Sequence, residues 1–323
     1  NKRLTALNVA GLSMGMTAAV LIFLWVQNEL SFDRFEPSAD RIFMASTRQT
    51  VPSGAWEGSP MLLAAAAHKE VPGIEKITRL NADNRPIFHV GNGVQFEKQC
   101  AFVDSNWFDI FSYRIIEGSA AGFGRDIRSL VLTASAAKQY FGNRDAVGQV
   151  VRIDSMNYTV EAVVADPPAN SSFQYRAYIP IAALLTDPQQ RQQGENWGND
   201  DYRTFLVLKD GAAPEAVAAR LTDVFQRYAQ DDQHVMRTAL TPLKDMHFDN
   251  TNSDGVFERG NIQVVTIFSL LGFVILLVAC INYVNLTTAK ASLRSKEVSI
   301  RKIVGAERWQ LFLQFVAESL LIS

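Results

Sequence analysis

Leu4–Val26 reads LTALNVAGLSMGMTAAVLIFLWV and Ile262–Ala289 reads IQVVTIFSLLGFVILLVACINYVNLTTA; neither run contains a charged residue. Each exceeds the roughly 20 residues that a helix needs to cross a hydrocarbon core about 30 Å thick. Lys2 and Arg3 precede the first run, and Lys290, Arg294, Lys296, Arg301, Lys302 and Arg308 follow the second. Short flanks rich in Lys and Arg stay in the cytoplasm. The expected topology therefore puts both outer ends inside and the polar stretch between the runs outside. The first run is too long for the apolar part of a signal peptide and lacks a small-residue cleavage site after it. Trp309–Ser323 carries one charge, Glu318, and reads as the start of a third membrane helix. The chain reads as a piece of a longer, multi-pass membrane protein.

Between residues 28 and 261, 23 Lys and Arg stand against 30 Asp and Glu, a net charge of −7. A mildly acidic domain has no electrostatic case for nucleic acid. Cys100 and Cys280 fall on opposite sides of the expected membrane boundary and cannot pair, and no zinc-type spacing exists. No phosphate-binding glycine loop occurs anywhere, and the external part has no Ser/His/Asp set and no paired-carboxylate signature. The expectation is a non-catalytic membrane subunit with no cofactor and no metal.

The external stretch alternates strand-like and helix-like segments, the pattern of an α+β domain. Met61–Val71 reads as a helix stopped by Pro72 and Gly73, and Gly91-Asn92-Gly93 as a hairpin turn. Thr133 caps a helix over 134–141 that ends at Gly142. Val217, Leu221, Val224, Phe225 and Tyr228 recur at three and four, which packs one helix face on a sheet. Residues 239–248 read as a last strand and 189–201 as a linker. The expected organisation is a first transmembrane helix over 1–27 and a core domain over 28–261. In that domain 28–114 and 200–261 form one subdomain, with a strand-rich subdomain, 115–199, inserted. A second transmembrane helix over 262–289, a short cytoplasmic helix over 290–308 and the third span over 309–323 follow.

Two constellations resemble sites. Gly11-Leu-Ser-Met-Gly15 matches a hydrolase nucleophile elbow, but an elbow needs a strand before it and a sharp turn at the serine. Inside an apolar helix, Gly11 and Gly15 instead form a small-residue face for close helix packing. Asp245, His247 and Asp249 alternate, so on a strand they would share a face and could hold a divalent metal. The preferred reading is a polar strand face, because the pattern is common by chance.

Glu297 and Arg301 form a favourably ordered i,i+4 pair on a helix, and Ile300, Ile303 and Val304 make an apolar stripe beside them. Gly305 can end that helix. The residues alone fit two readings equally, an interfacial helix ordering lipid contacts and a docking element for a cytoplasmic partner. Glu297-x-x-Ile300-Arg301-Lys302-x-x-Gly305-Ala306 resembles the motif after the second membrane helix of MacB/FtsX-type ABC transporter permeases. Asn8-Val-Ala-Gly-Leu-x-x-Gly-Met16, Glu29-Leu-Ser-Phe-Asp-Arg-Phe35 and Ala39-Asp-Arg-Ile42 resemble the first span and periplasmic entrance of Bacteroidetes-type members.

The resemblance implies a multi-pass permease of the inner membrane with a large periplasmic core domain. Permeases of this kind pair as homo- or heterodimers with two cytoplasmic ABC ATPase subunits. Glu297, Ile300, Arg301, Lys302, Gly305 and Ala306 are then ATPase-coupling candidates. A periplasmic adaptor or outer-membrane protein and membrane lipid are further implied partners. ATP hydrolysis would move the external domains through the membrane helices, exporting peptides, drugs or lipoproteins. The alternative is a regulatory subunit, FtsX-like, that activates a periplasmic partner. A membrane-anchored enzyme using Asp245, His247 and Asp249 is a third class.

Overall fold

The computed structural model describes residues 2–49, 54–90, 93–96, 99–229, 236–251 and 256–303, together with 309 and 313. They divide into two compact units, 1–28 with 262–323, and 29–261.

The first unit includes the helices α1 (Lys2–Leu30) and α7 (Ile262–Ile303). Ala10–Leu30 and Ile262–Asn285 are long and apolar enough to cross a membrane, and only 11% and 17% of the two windows are buried. A helix from the core of a soluble domain would be mostly covered. Here Leu21, Leu24, Phe273 and Val278 are exposed. A Cβ on Gly15 would meet the Cβ of Ala279 at 3.4 Å, and one on Gly272 would meet Ile22 at 3.0 Å. Trp25 lies against Phe268 with ring centroids 5.3 Å apart. Contact positions rise along α1 as they fall along α7, so the helices run antiparallel. α7 has 42 residues, so the helix expected over 290–308 is, up to Ile303, a continuation of the second span. No residue able to stop a helix occurs between Asn285 and Ile303.

The second unit is built on one sheet. Its elements are β1 (Ile42–Gln49), β2 (Gly54–Trp56), α2 (Met61–Glu70), β3 (Ile74–Asn81), β4 (Ile87–Val90), β5 (Gly93–Phe96), β6 (Cys100–Val103), β7 (Ile115–Gly118), β8 (Ser129–Thr133), α3 (Ala134–Phe141), β9 (Val150–Ile153), β10 (Met156–Val164), β11 (Ala177–Pro180), α4 (Ile181–Leu184), α5 (Pro188–Gly194), β12 (Arg203–Leu208), α6 (Pro214–Ala229) and β13 (Met236–Pro242). Among the described residues the strand order is β13-β1-β12-β3-β6-β11-β8-β10-β9-β4-β5, with β2 on β1 and β7 on β10. The pairs β6–β11 and β8–β10 are parallel and the others antiparallel.

Strand alternation gives the sheet two apolar faces. Ile42 and Met44 of β1, Phe205 and Val207 of β12, and Val131 of β8 join one cluster, around Trp107, Phe111 and Phe173. On the other face, Phe43, Ala45, Leu206 and Leu208 pack under α2 and α6. Leu130, Leu132 and Val163 pack beside Ala136, Tyr140 and Phe141 of α3. α6 buries Val217, Leu221, Val224 and Phe225, the stripe expected from its spacing, whereas Tyr228 is 43% exposed. Each such buried side chain contributes about 1.5–3 kcal/mol. The Thr133 side chain accepts from Ala136 N, and Gly142 closes α3 at φ +65°, a conformation suited to glycine.

Two local readings differ from the structure. Residues 188–194 form α5 rather than linker, because Asp187 caps the N–H groups of Gln189 and Gln190 and Pro188 opens the helix. The last strand stops at Pro242, and Leu243–Phe248 form a 3-10 helix. The sheet also runs through the boundary expected at 114/115: β4 pairs with β9, and β6 with β11. One apolar cluster contains residues from both expected subdomains.

Candidate functional site

The residues singled out for ATPase coupling lie at the end of α7. Glu297, Ile300, Arg301 and Lys302 have helical backbone, with Glu297 and Arg301 one turn apart, while Gly305 and Ala306 lie outside the described residues. Of the packing pair, Gly15 faces Ala279, and a Cβ on Gly11 would have nothing within 4 Å.

Asp245, His247 and Asp249 do not share a strand face, because the chain turns into a 3-10 helix at Leu243. Asp245 is exposed and His247 is buried. Asp249 accepts hydrogen bonds from Thr241 Oγ1 at 2.9 Å and from Thr251 N at 3.1 Å. These bonds hold its carboxyl below the usual range against the opposing effect of burial. Among the described residues no group of three or more His, Cys, Asp or Glu is placed to hold a metal ion.

His247 instead belongs to a junction that sequence reasoning did not resolve into contacts. Its Nε2 lies 2.8 Å from Glu29 Oε2, and its Nδ1 lies 3.3 Å from the Glu258 carbonyl. The Phe32 ring stacks on the imidazole, with centroids 3.6 Å apart and planes 6° from parallel. Glu29 and Phe32 belong to the Glu29–Phe35 motif, so that motif meets the far end of the domain sequence here. The same stretch is fastened to the loop after β10. Asp33 adopts φ +54°; its carboxylate accepts from Ser172 N at 2.8 Å and Ser172 Oγ at 2.5 Å. Its own N–H donates to the Asn170 carbonyl at 2.9 Å. Asn170 Nδ2 returns bonds to the carbonyl and hydroxyl of Ser31. Burial pushes the Asp33 carboxyl up, opposed by the bonds from Ser172. Glu36 accepts from Ser112 N at 3.0 Å, and burial raises its carboxyl too.

The segment leaving the domain is fastened as firmly. Arg259 pairs with Glu57, whose side chain is 0% exposed, and Val256 N donates to Glu57 Oε2 at 3.0 Å. Arg259 Nη1 also donates to the carbonyls of Met246 and Asp249. Phe257 packs edge-on against Phe173 in the aromatic cluster. Gly260 must be small, since a Cβ there would collide with the His247 ring. The arrangement ties the first and last segments of the domain to one another and to its core. One sequence signal was available: buried-type aromatics alternate with Glu29, Asp33 and Glu36 in a stretch with no strand or helix pattern.

The comparisons place this chain among known proteins. The family model of the MacB-like periplasmic core domain matches residues 5–224, and that of the FtsX-like permease C-terminal region matches residues 269–323. The macrolide export ATP-binding/permease protein MacB of Salmonella paratyphi A is 23% identical over 261 residues, covering 78% of this chain and 36% of that protein. The protein of the same description from Bordetella avium is 26% identical over 219 residues, covering 65% and 30%. The chain thus spans about a third of the length of these curated relatives. A solved domain of a permease protein from Porphyromonas gingivalis matches 72% of this chain and 98% of its own, with a TM-score of 0.55 at 22% identity, a likeness of fold. With more than half its length matched by the periplasmic core domain, this chain belongs to the MacB/FtsX-type ABC transporter permeases.

Proposed function

We propose that the chain is a non-catalytic permease subunit of the inner membrane that couples ATP hydrolysis by a separate cytoplasmic subunit to movement of its periplasmic domain. The movement would export peptides, drugs or lipoproteins. One observation carries this reading: the Glu29–His247–Phe32 junction joins the segment entering the external domain to the segment leaving it. Helix α1 is continuous to Leu30, so Glu29 lies on its last turn. A domain bound to both its ends moves as a body when the helices move. Loosely attached ends would let that displacement dissipate in the linkers. The curated relatives are described as macrolide exporters with ATP-binding and permease functions together, which supports export.

The test is co-purification of the permease with its ABC ATPase, with and without Glu297→Lys plus Arg301→Glu. Loss of the complex with the permease still folded supports ATPase docking at the end of α7. Unchanged co-purification removes these residues from the coupling role. Absence of a complex in either form favours an ATPase-independent periplasmic module.

A further inference from the structure

The junction holds the ring of His247 between two groups that only accept. A carbonyl oxygen has no proton to give, so the contact of Nδ1 with the Glu258 carbonyl at 3.3 Å requires a proton on Nδ1. An ionised carboxylate is acceptor-only as well, so the contact of Nε2 with Glu29 Oε2 at 2.8 Å requires a second proton, on Nε2. A neutral imidazole carries one N–H and one lone pair. With its N–H on Nδ1, the lone pair on Nε2 would face the Glu29 carboxylate at hydrogen-bond distance. The ring is not free to turn away. Phe32 covers one face, Phe248 lies against it with centroids 4.9 Å apart, and the backbone of Gly260 leaves no room for a Cβ.

The Phe32 stack favours the same protonation. Neutral aromatic pairs avoid a face-to-face sandwich, because their negative faces repel. Here the centroids are 3.6 Å apart and the planes 6° from parallel, too close for a sizeable offset. A cation over a ring face is attracted instead. Burial opposes the charge, since the His247 side chain is 5% exposed, but two carboxyls offset that cost. Glu29 bonds the ring directly. Asp33 stands nearby: burial raises its carboxyl, and its bonds from Ser172 and attraction to a charged His247 oppose the rise. The other charged groups of these segments are engaged elsewhere. Arg259 is turned to Glu57, Asp249 to Thr241 and Thr251, and Asp245 and Glu258 are exposed.

We propose that His247 is held as an imidazolium and that the junction is a proton-dependent clasp on the entry and exit segments of the external domain. The charged ring donates to Glu29 and to the Glu258 carbonyl at once, and charge-assisted bonds are roughly twice as strong as neutral ones. Loss of the Nε2 proton turns the Glu29 contact from attraction to repulsion. The clasp therefore stabilises the domain in acid and weakens as pH rises. It adds regulation by external pH to the proposed function and rests on the reading of the junction as a mechanical link. It is measured on the permease alone, so its failure would leave ATPase docking untouched.

The experiment is nitrogen nuclear magnetic resonance of the full chain in detergent, with the histidine rings labelled. The chain has four histidines, and His247 is identified by its contact with the Phe32 ring. The expected result at about pH 7, where an ordinary imidazole is mostly neutral, is an N–H at both ring nitrogens. In Glu29→Gln the new amide can donate to a bare Nε2, so the ring should carry one proton, on Nδ1. Chemical denaturation followed by tryptophan fluorescence gives a second readout. Between about pH 6 and about pH 9 the unfolding equilibrium constant of the parent should rise on the order of tenfold more than that of Glu29→Gln. A bare Nε2 in the parent at about pH 7 would overturn the proposal without recourse to any variant. Equal pH dependence in the parent and a folded Glu29→Gln protein would overturn it as well.

Discussion

The Nε2 of His247 sits 2.8 Å from the carboxylate of Glu29, a pair separated by 218 positions in sequence. The contact joins the first and last segments of the external domain. His247→Ala and Glu29→Ala should each destabilise the domain, and a double-mutant cycle should show coupling of about 1–3 kcal/mol. Chemical denaturation followed by tryptophan fluorescence measures it. Additive effects would show that the two side chains are neighbours without being a fastening.

Arg259 and Glu57 make a second fastening with different energetics. Removing one partner strands the other charge in the interior, because Glu57 is wholly buried. Arg259→Met should cost about 3–5 kcal/mol. Glu57→Gln combined with Arg259→Met should recover much of that loss, since no buried charge remains. Failure of the second change to rescue the first would locate the role of Arg259 in its bonds to the Met246 and Asp249 carbonyls.

Asp200 gives a pH signature. Its folded value of about 7 lies above the ordinary 3.8. A raised carboxyl favours folding fully below pH 4, and that contribution is lost as pH rises through 7. Asp200→Asn should therefore raise the Tm relative to the parent at pH 8 and leave the two nearly equal at pH 4. Allowing for partial exposure, the difference at pH 8 should be about 2 kcal/mol. Thermal scans across that range decide it, and a constant offset at all pH values would contradict the assignment.

Helix packing in the first unit predicts a crosslinking pattern. Gly15 faces Ala279 and Gly11 faces nothing within 4 Å. In a background lacking Cys100 and Cys280, Gly15→Cys with Ala279→Cys should form a disulfide under mild oxidation. Gly11→Cys with Ala279→Cys should not. Likewise Gly15→Leu should disturb the pair, by about 1–3 kcal/mol from overpacking, and Gly11→Leu should be tolerated. Gel mobility under non-reducing conditions reads the first comparison.

Local sequence determined much of this protein. The two uncharged runs specify the long apolar helices, since length and composition alone meet the bilayer requirement. The stripe Val217, Leu221, Val224 and Phe225 specifies the buried face of α6, and Thr133 with Gly142 specifies the ends of α3, because caps and periodicity act within a few residues. Family membership was legible for a similar reason, being carried by short motifs at the domain entrance and after the second span. The tertiary structure decided what depends on distant residues meeting. A period-two pattern made Asp245, His247 and Asp249 resemble a strand face; the turn at Pro242 broke that face, and the approach of Glu29 and Phe32 gave His247 its partners. The β4–β9 pairing carried the sheet across the expected subdomain boundary, because register between remote strands is set by the shared core. The acceptors on both ring nitrogens of His247 are a tertiary product too: Glu29 comes from far along the chain, and no local pattern reports it.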